Sequence, residues 1–439
     1  MEQELYQRAY YDKLTQMPNR LLLQRKMQLM LKDVQSDYKL AMIYVDVDDF
    51  KHVNELYGHN VGDELLKHIG EVLTHTVGED GIAARLSGDE YIVVLENVQG
   101  MEEIVSWIQK VRDHLKEPWL YRGKQFFTNI SMGIAVYPED GGDFSELMQR
   151  SDLAMFSAKE KGKNQYSFYS QEMEKRLKHY FEMDHMIREA LDNRSFQLHY
   201  QPLVSQKDGR VVKIEALIRW KHPEKGWILP AEFIPIAEQS GHIHKIGIRV
   251  VEEACRQVKE WVGQGIEVPT VSINLSSKRL ERDQLYEEIK SVLERNCVDK
   301  GVVEFEITET AILEDPQSAL EILQQLKSLG VSLALDDFGT GFSSLTHLKM
   351  LPIDVLKMDR SFLADVLDDV KAKNLYVGVV QLAHSIGMEV VAEGVETREQ
   401  VEFLKESGCD VLQGYYFSRP LPPEEIRQVI LGEIPLPPL

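Results

Sequence analysis

The second half of the chain repeats one pattern eight times: a short apolar run rich in β-branched residues, separated from the next in most cases by a helical segment. The strand candidates are, in chain order, FQLHYQPLV, VKIEALIRW, VSINLS, VEFEITE, SLALDDF, VLKMD, VVAEGVE and VLQGYYFS. Eight strands that alternate with helices are typical of a (β/α)8 barrel of the TIM type. We therefore predict such a barrel over residues 193–439.

Polar side chains recur where these predicted strands end. Seven of the eight candidates carry one at or near the C-terminal end: Glu215, Asn274, Glu306, Asp336 with Asp337, Lys357, Glu393 and Gln413. A barrel brings its strand C-termini to one rim, and the active site is built there from several strands. A single such residue would more often be a solvated strand end, but seven in phase predict a shared site.

The chemistry of this set points to a metal-assisted reaction at phosphorus. Carboxylate and amide oxygens suit Mg²⁺ or Mn²⁺, whereas zinc would call for His or Cys, and neither recurs at the strand ends. Two such metals about 4 Å apart stabilise both the attacking and the leaving oxygen. Lys357 can orient a water or offset developing charge. Arg219 can bind a phosphate as a fork or form a surface ion pair.

The first half alternates strand-like and helix-like segments and predicts a compact α+β domain over 1–168, followed by a helix without Gly or Pro over 169–192. The run KLAMIYVDV ends in an acidic cluster of Asp46, Asp48 and Asp49, and the segments IAARL and YIVVLE flank a tight turn that contains Asp89 and Glu90. These carboxylates can meet across paired strands and hold Mg²⁺ under a triphosphate, with charge from Lys51. Acidic hairpin tips are, however, also commonly solvated.

Composition excludes several functions. Lys and Arg total 50 against 71 for Asp and Glu, which gives a net charge of −21 and argues against binding a nucleic acid polymer. The N-terminus has no signal-peptide pattern, no stretch approaches the roughly 18 apolar residues of a membrane helix, and the three cysteines form no CxxC pair. We expect a cytoplasmic protein with no membrane segment.

Ordered motifs in the second half resemble the EAL-domain phosphodiesterases of bacterial cyclic di-GMP signalling. They are EALIRW, FIPIAE, SINLS, EITE, DDFGTGFSSL, LPIDVLKMD, AEGVET and QGYYFSRPL. The resemblance implies hydrolysis of cyclic di-GMP to the linear dinucleotide pGpG with two Mg²⁺ or Mn²⁺ ions.

The same resemblance implies a role for individual residues. The implied metal ligands are Glu215, Asn274, Glu306, Asp336, Asp337 and Asp359. The implied catalytic residues are Lys357, which positions the water, Glu393 as general base or further ligand, Gln413 near the nucleophile, and Glu309 as an anchor of the site. Leu217, Arg219 and Glu396 are implied in substrate binding, with Glu396 also an anchor.

The first half resembles the GGDEF-domain diguanylate cyclases, whose fold is that of the nucleotide-cyclase palm. The matching pieces are DKLTQMPNR, VDVDDFKHVNELYGHNVGDELL, RLSGDEY and AKEKGKN. The resemblance implies one or two metal ions with GTP at Asp46 and Asp89, with Glu90 beside them. It implies guanine recognition by Asn54 and Asp63. The implied phosphate contacts are Lys51, Arg85, Lys159 and Lys163.

One departure leaves the activity of the first domain open. Its turn reads Ser87-Gly88-Asp89-Glu90-Tyr91 where the family usually has two glycines and a phenylalanine, so we expect synthesis to be weakened rather than abolished. The main hypothesis is a cyclic di-GMP phosphodiesterase whose first domain binds GTP as a regulator or weak cyclase. The alternatives are a fully bifunctional enzyme and a non-catalytic receptor for both nucleotides. Both families form homodimers, so a homodimer is expected.

Overall fold

The computed structural model describes residues 2–32, 38–276, 278, 284–296, 298–314, 316–339 and 350–439, and the chain divides into two compact units, Met1–His179 and Tyr180–Leu439. The described strands are β1 Leu40–Val47, β2 Gly81–Ser87, β3 Glu90–Glu96, β4 Trp119–Tyr121, β5 Lys124–Phe126, β6 Ile130–Tyr137, β7 Tyr166–Phe168, β8 Phe196–Ser205, β9 Val211–His222, β10 Gly226–Ile228, β11 Thr270–Leu275, β12 Val303–Thr308, β13 Ser332–Phe338, β14 Val355–Met358, β15 Glu389–Ala392 and β16 Val411–Leu412. The described α-helices are Glu2–Tyr10, Arg20–Met30, Phe50–Tyr57, His59–Val77, Met101–Lys116, Phe144–Glu160, Gln171–Asp192, Pro230–Gln239, Ile243–Gly263, Leu285–Asn296, Glu309–Glu314, Pro316–Ser328, Val370–Ser385, Arg398–Ser407 and Pro423–Ile430.

The first unit is built on a five-stranded sheet in the order β2-β3-β1-β6-β7, antiparallel except for the pair β6–β7. Every residue of the central strand β1 is buried. Its side chains alternate, so that Ile43 and Val45 enter one hydrophobic cluster while Met42 and Tyr44 enter another. Both faces of the sheet are therefore covered, which explains why β1 reads as a continuous apolar run. The predicted α+β class of this unit is confirmed.

The second unit contains a closed barrel of eight strands, as predicted, in the order β9-β11-β12-β13-β14-β15-β16-β8, with β10 added beside the end of β9. The strands β11 to β16 run parallel to β9. The first strand, β8, instead runs antiparallel to both neighbours, β9 and β16. The cause is local: only five residues with an Asp208-Gly209 turn separate β8 from β9, and a parallel pair would need a long crossover.

The barrel interior is filled by apolar side chains below the rim. Leu203, Ala334, Val355, Val391 and Val411 form one buried cluster, and each lies two residues along the chain from a polar rim position. A much larger cluster fills the layer between the strands and the outer helices. The interior is therefore a packed core that closes the floor of the rim site.

The unbroken helix predicted after the first domain is observed as Gln171–Asp192. Within the first unit, its residue Glu174 accepts a hydrogen bond of 2.7 Å from the Tyr169 hydroxyl. Within the second unit, Met183 and Ile187 are buried in a cluster that contains Trp220. Among the described helices there is none long and apolar enough to cross a lipid bilayer.

Candidate active site

The polar strand ends of the second unit meet on one rim, because β9 and β11 to β16 all run in the same direction. The eighth candidate, which carries no polar residue at its C-terminal end, is β8, and it runs the other way. Its polar contribution to the rim is Gln201, in the middle of the strand, which the sequence reasoning missed. The signal was present in the short Asp-Gly turn after β8, since a hairpin reverses the direction of the strand.

Lys357 lies at the centre of the rim and only 1% of its side chain is exposed. Its ammonium is 2.7 Å from a Glu393 oxygen, 2.9 Å from Glu306, 3.3 Å from Asp336 and 3.8 Å from Glu215. All four distances are those of ion pairs. Among the described residues, however, neither the ammonium nor the two Glu306 oxygens make a contact that meets the geometry of a hydrogen bond. One buried cation is thus surrounded by four carboxylates.

Glu215 is held in place by two amides. Asn274 donates to one of its oxygens at 2.7 Å and Gln413 to the other at 2.6 Å. Gln413 also donates to Gln201 at 3.2 Å, and Gln201 donates to the Ser418 carbonyl at 3.0 Å. The Asn274 carbonyl oxygen and the outer lone pairs of Glu215 stay available to a cation.

Asp336 and Asp337 face the same side although they are consecutive residues of a strand. Asp337 has a positive φ of 55°, and the pairing of β13 with β14 shifts register between Leu335 and Phe338. This local turn brings an oxygen from each of Asp336, Asp337 and Glu393 within 4.8 Å of one another. The arrangement can hold a metal ion, as the Asp-Asp pair at the strand end had predicted.

The pKa values of the rim acids reflect their crowding. Burial raises the pKa of Glu306 well above its ordinary value, and the charge of Glu215 adds to the effect. Burial likewise raises the pKa of Glu393 to about 8, against the influence of Lys357. Burial and the neighbouring Asp336 raise the pKa of Asp337. Burial would also raise the pKa of Glu215, but Lys357 and the two amide donors outweigh burial and lower it.

Burial opposes the charge of Lys357 itself, but the surrounding carboxylates outweigh burial and raise its pKa well above the ordinary value. Four carboxylates around one ammonium leave an excess of negative charge in a buried place. Among the described residues, oxygens of Glu306 and Asp336 accept no hydrogen bond, and together with the excess charge this fits a site that takes further cations. Hard divalent cations are the group to which this set of oxygen donors is suited.

Two further predicted residues lie at the margin of the metal-binding group. Asp359 follows β14 and caps the short 3₁₀ helix Arg360–Leu363 by accepting from the Ser361 amide at 2.9 Å, and its charge raises the pKa of Asp337. Glu309 is 2% exposed and accepts from the Gly339 amide at 2.9 Å, which fixes the backbone directly after β13. The rest of the DDFGTGFSSL motif, residues 340–345, lies outside the described residues.

The predicted substrate-binding residues are distributed over two places. Leu217 and Arg219 follow Glu215 at intervals of two on β9, so all three lie on the same face. Arg219 is half-buried and one guanidinium nitrogen donates to the Ile218 carbonyl at 2.8 Å. Glu396 is exposed after β15, and its amide donates to Gln400. Their roles in binding remain predictions.

A cavity of about 1370 Å³ in the second unit lies apart from the rim acids, and its lining includes Arg188, His242, Lys245 and Arg249. None of the carboxylates around Lys357 lines it. The chemistry of the side chains, rather than the size of a cavity, therefore marks the candidate active site in this unit.

In the first unit, Asp46 and the hairpin tip meet as predicted. Asp46 is opposite Glu90 in the register of β1 and β3, and the charge of Asp89 contributes to its raised pKa. Burial is the main cause of that increase, and Lys159, whose ammonium lies 2.6 Å from Asp46, opposes it. Lys163 pairs with Asp49 at 2.7 Å. Three carboxylates with nearby lysines make a place where a metal ion and phosphates can bind.

The residues predicted to bind guanine and phosphate lie on and near the helix Phe50–Tyr57. Asn54 has a buried side-chain oxygen without a hydrogen-bond partner among the described residues, and it packs against Gly62, where a Cβ would come within 2.1 Å of that oxygen. Asp63 is exposed on the next helix, and Lys51 is 90% exposed with Glu55 at 3.6 Å. A free buried acceptor is a suitable partner for the donors of a base edge.

Arg85 is occupied by the protein itself. It is 7% exposed, it donates to the Asp12 carboxylate at 2.8 Å, and two of its nitrogens donate to the Gly88 carbonyl at 3.1 and 2.6 Å. Asp12 also accepts from the Thr15 amide and hydroxyl, both at 2.8 Å. In this conformation Arg85 clamps the hairpin turn, and the phosphate contact stays a prediction.

The Ser87 substitution does not fall on the strained position of the turn. The positive φ in this hairpin, 53°, belongs to Gly88, and Ser87 is not among the residues with positive φ. Its hydroxyl donates to the Glu90 carboxylate at 3.1 Å. The glycine that the turn requires is therefore present, and the condition under which Ser87 would strain the backbone is not met.

Comparison with known protein families gives one match for each of the two units. Residues 184–420, more than half of the chain, match the family model described as "EAL domain". The chain belongs to the EAL domain family. Residues 9–165 match the model described as "Diguanylate cyclase, GGDEF domain", so this EAL protein carries a GGDEF domain before its barrel.

Several relatives combine the same domains. The bifunctional diguanylate cyclase/cyclic di-GMP phosphodiesterase MucR of Pseudomonas aeruginosa is 36% identical over 424 residues, which cover 96% of this chain and 62% of MucR. The cyclic di-GMP phosphodiesterase NbdA of the same organism is also 36% identical, over 95% of this chain and 53% of NbdA. This chain thus spans about half to three fifths of the length of these curated relatives.

A solved structure titled "PaMucR Phosphodiesterase, c-di-GMP complex" is 39% identical to this EAL protein, with a TM-score of 0.54 over 56% of this chain and 99% of that one. The EAL enzyme Bd1971 in its cAMP- and cyclic-di-GMP-bound form is 26% identical, with a TM-score of 0.57 over 78% of this chain and 81% of that one. Both support the fold assigned to the barrel.

Proposed function

We propose that this EAL protein hydrolyses cyclic di-GMP to the linear dinucleotide pGpG at the barrel rim, with Mg²⁺ or Mn²⁺ as cofactor. The observation that carries the proposal is the buried Lys357 amid four carboxylates. Beside it, the left-handed backbone of Asp337 brings the Asp336 and Asp337 carboxylates to the same side. The family membership supports it, as do the printed names of MucR and NbdA. A receptor that only bound the nucleotide would need neither this cation nor the surplus of acids around it.

The residues that would hold metal are Glu215, Asn274, Glu306 and Asp336 for one ion, with Asp336, Asp337 and Asp359 beside the second. When bound, such ions stabilise negative charge on the attacking and leaving oxygens of a phosphodiester and lower the pKa of a bound water. Asn274 and Gln413 keep Glu215 ionised and oriented toward the rim.

The chain's own groups then divide the remaining work. Lys357 holds a fixed positive charge where the attacking water and the phosphate meet. Glu393, 2.7 Å from Lys357, accepts the proton that the water loses as its oxygen bonds to phosphorus. The bond from phosphorus to the 3′ oxygen breaks, and this oxygen leaves as an alkoxide that takes a proton from solvent water to become the 3′ hydroxyl of pGpG. Arg219 binds the phosphate that is not cleaved, and Glu309 keeps the backbone after Asp337 in position.

For the GGDEF domain we propose GTP binding with one or two divalent metal ions at Asp46 and Asp89. The base is read by Asn54 and Asp63. The unpartnered Asn54 oxygen and the lysines near the acidic hairpin support this assignment. Because the required Gly88 is present and Ser87 is unstrained, a second function, weak synthesis of cyclic di-GMP from two GTP molecules in a homodimer, is also favoured.

Incubation of the purified chain with each nucleotide and Mg²⁺, followed by chromatographic identification of the products, separates these functions. Cyclic di-GMP should give pGpG, and GTP should be bound and converted slowly or not at all. Asp89→Ala should remove any conversion of GTP and leave hydrolysis of cyclic di-GMP intact. Binding of cyclic di-GMP without any product would contradict the phosphodiesterase and favour the receptor alternative.

Binding specificity in the GGDEF domain can be tested separately. Asp63→Ala should weaken GTP binding, measured by titration calorimetry, if the exposed carboxylate reads the guanine edge. Equal affinity of the wild type for ATP and GTP would contradict the assignment of guanine to Asn54 and Asp63.

A further inference from the structure

β9 extends past the barrel, and beyond Arg219 it leads to two side chains that the proposed mechanism does not use, Lys221 and Trp227. Its residues Glu215, Arg219 and Lys221 are separated by even intervals and therefore lie on the same, inward face. The short strand β10 pairs antiparallel with the end of β9, and its residue Trp227 lies directly opposite Lys221. Cross-strand partners share a face, so the indole is on the side of the sheet that leads to the metal-binding acids.

The indole of Trp227 is contacted by two side chains and is half exposed. His199 of β8 meets it edge to face, with 5.5 Å between the ring centroids and an angle of 73°. The Lys221 ammonium lies 5.8 Å from the centre of the same ring. The side chain of Trp227 nevertheless remains 50% exposed. A large aromatic ring is thus fixed in orientation while part of its surface stays accessible.

His199 connects this ring to the active site. It lies two residues before Gln201 on β8 and opposite Leu217 of β9, so it shares the inward face with both. Burial lowers the pKa of His199, and the positive charge of Arg219 lowers it further. Arg219 lies opposite Gln197, two residues before His199 on β8, so both side chains are on the same face of the sheet. We call Trp227, His199, Arg219 and Lys221 the rim cluster.

The chemistry of the rim cluster matches a purine nucleotide. Arg219 and Lys221 offer positive charge for a phosphate, and the indole offers a π-surface beside them. A single exposed apolar side chain needs no functional explanation. Here, however, the ring contacts an imidazole, lies near the Lys221 ammonium and is on the same face of the sheet as Arg219 and Glu215.

We propose that Trp227 is the stacking platform for one guanine base of the substrate, whose phosphate lies against Arg219. This assignment rests on the proposed hydrolysis of cyclic di-GMP and adds a residue that determines specificity for it. His199 is a positioning residue, because it acts on the base only by fixing the indole.

The test is steady-state hydrolysis of cyclic di-GMP by the full chain with Mg²⁺ and the variants Trp227→Ala, Trp227→Leu and Trp227→Phe. Loss of one base-stacking contact should raise KM by about tenfold in the Ala and Leu variants, while kcat stays within about twofold. Trp227→Phe should restore most of the affinity, since it keeps a π-surface that Leu lacks. Leu375→Ala, which truncates a 60% exposed apolar side chain on an outer helix, should change neither constant.

The outcomes separate this proposal from the function on which it rests. A wild type that neither binds nor hydrolyses cyclic di-GMP would overturn both. If the wild type is active and the Ala and Leu variants keep its KM, or if they lose kcat alone, stacking on Trp227 is wrong and the phosphodiesterase stands. A Phe variant as weak as the Ala variant would also overturn stacking. His199→Asn should raise KM by a smaller factor, and a KM above that of Trp227→Ala would contradict its positioning role.

Discussion

Replacing Lys213 with Met should destabilise the barrel strongly without touching its chemistry. Lys213 lies two residues before Glu215 on the same inward face, one layer below the rim. Its ammonium is 2.8 Å from Glu304 and 2.7 Å from Glu389, and its side chain is 9% exposed. Glu304 is 2% exposed and also accepts from the Ser272 and Ser332 hydroxyls at 2.8 and 3.1 Å.

The size of the effect follows from what the variant leaves behind. Glu389 is 40% exposed and can be hydrated, so it adds little. Glu304 would keep two hydroxyl donors but lose its counter-charge in a buried place. Removing one partner of a buried pair costs about 3–5 kcal/mol, and we expect the unfolding free energy of the second unit to fall by that amount. Lys213→Met/Glu304→Gln should recover about half of the loss, because no buried charge remains.

The assay is unfolding by denaturant, monitored by tryptophan fluorescence, because three of the five tryptophans lie in the second unit.

The pH dependence of the effect follows from the pKa of Lys213. Burial opposes the charge of Lys213, but Glu304 and Glu389 outweigh burial and raise its pKa. The raised pKa means that the contribution is fully present below the ordinary lysine pKa of about 10.4 and is lost only as pH rises further. The difference between wild type and variant should therefore be constant between about pH 6 and pH 9.

A surface pair provides the control. Lys67 and Glu64 are 2.7 Å apart, but each side chain is 39% exposed, so Lys67→Met should lower the unfolding free energy far less than Lys213→Met. The reasoning would be refuted if Lys213→Met cost no more than Lys67→Met, or if the double variant were less stable than the single one. The hydrolysis rate per folded molecule should be unchanged in all three variants.

Three further changes probe single contacts. Lys357→Met should lower kcat by at least about a hundredfold with KM within about threefold, because the charge acts mainly in the transition state; steady-state kinetics that show a raised KM and normal kcat would make Lys357 a substrate clamp. Glu309→Gln should keep most activity and Glu309→Ala should lose about tenfold, since only the former can still accept from the Gly339 amide; equal rates for both would contradict the anchoring role. Asp12→Ala should destabilise the first unit by about 1–2 kcal/mol in thermal unfolding at neutral pH. Burial opposes ionisation of Asp12, but Thr15 and Arg85 outweigh it and lower its pKa, so the difference should be full above the ordinary Asp pKa of about 3.9 and be lost as pH falls below it; a difference that persists undiminished in strong acid would contradict the ion pair.

The rim site could be predicted because the sequence shows where each barrel strand ends and which of these ends carry a polar residue. Parallel strands end on one side of a barrel, so residues such as Glu306 and Lys357 had to meet if the barrel formed. Asp46 at the end of β1 and Glu90 at the hairpin tip lie opposite each other for a similar reason, because β1 and β3 are antiparallel neighbours and the end of one is paired with the start of the other. Both predictions rest on the regular geometry of paired strands.

What could not be predicted depends on irregular backbone or on side chains far apart in the sequence. The reversed direction of β8 placed Gln201 on the rim, although it lies mid-strand. That Asp336 and Asp337 face one side was predicted from their place at a strand end, but the left-handed conformation of Asp337 that produces this arrangement was not. Arg85 donates a hydrogen bond to Asp12, which lies 73 residues earlier in the chain, and no rule of sequence spacing connects the two residues. Such contacts are decided by tertiary structure and leave no periodic trace in the sequence.

The most direct test of a metal-dependent rim site is the initial rate of cyclic di-GMP hydrolysis by the wild type and Asp336→Asn, measured as Mg²⁺ is removed by chelator and then restored. Glu425→Gln, which neutralises an exposed acid near the C-terminus, serves as the matched control. We predict that wild-type hydrolysis disappears in excess chelator, returns with added Mg²⁺ or Mn²⁺, and is absent from Asp336→Asn at every metal concentration. Undiminished hydrolysis in excess chelator, or wild-type rates from Asp336→Asn, would contradict the assignment.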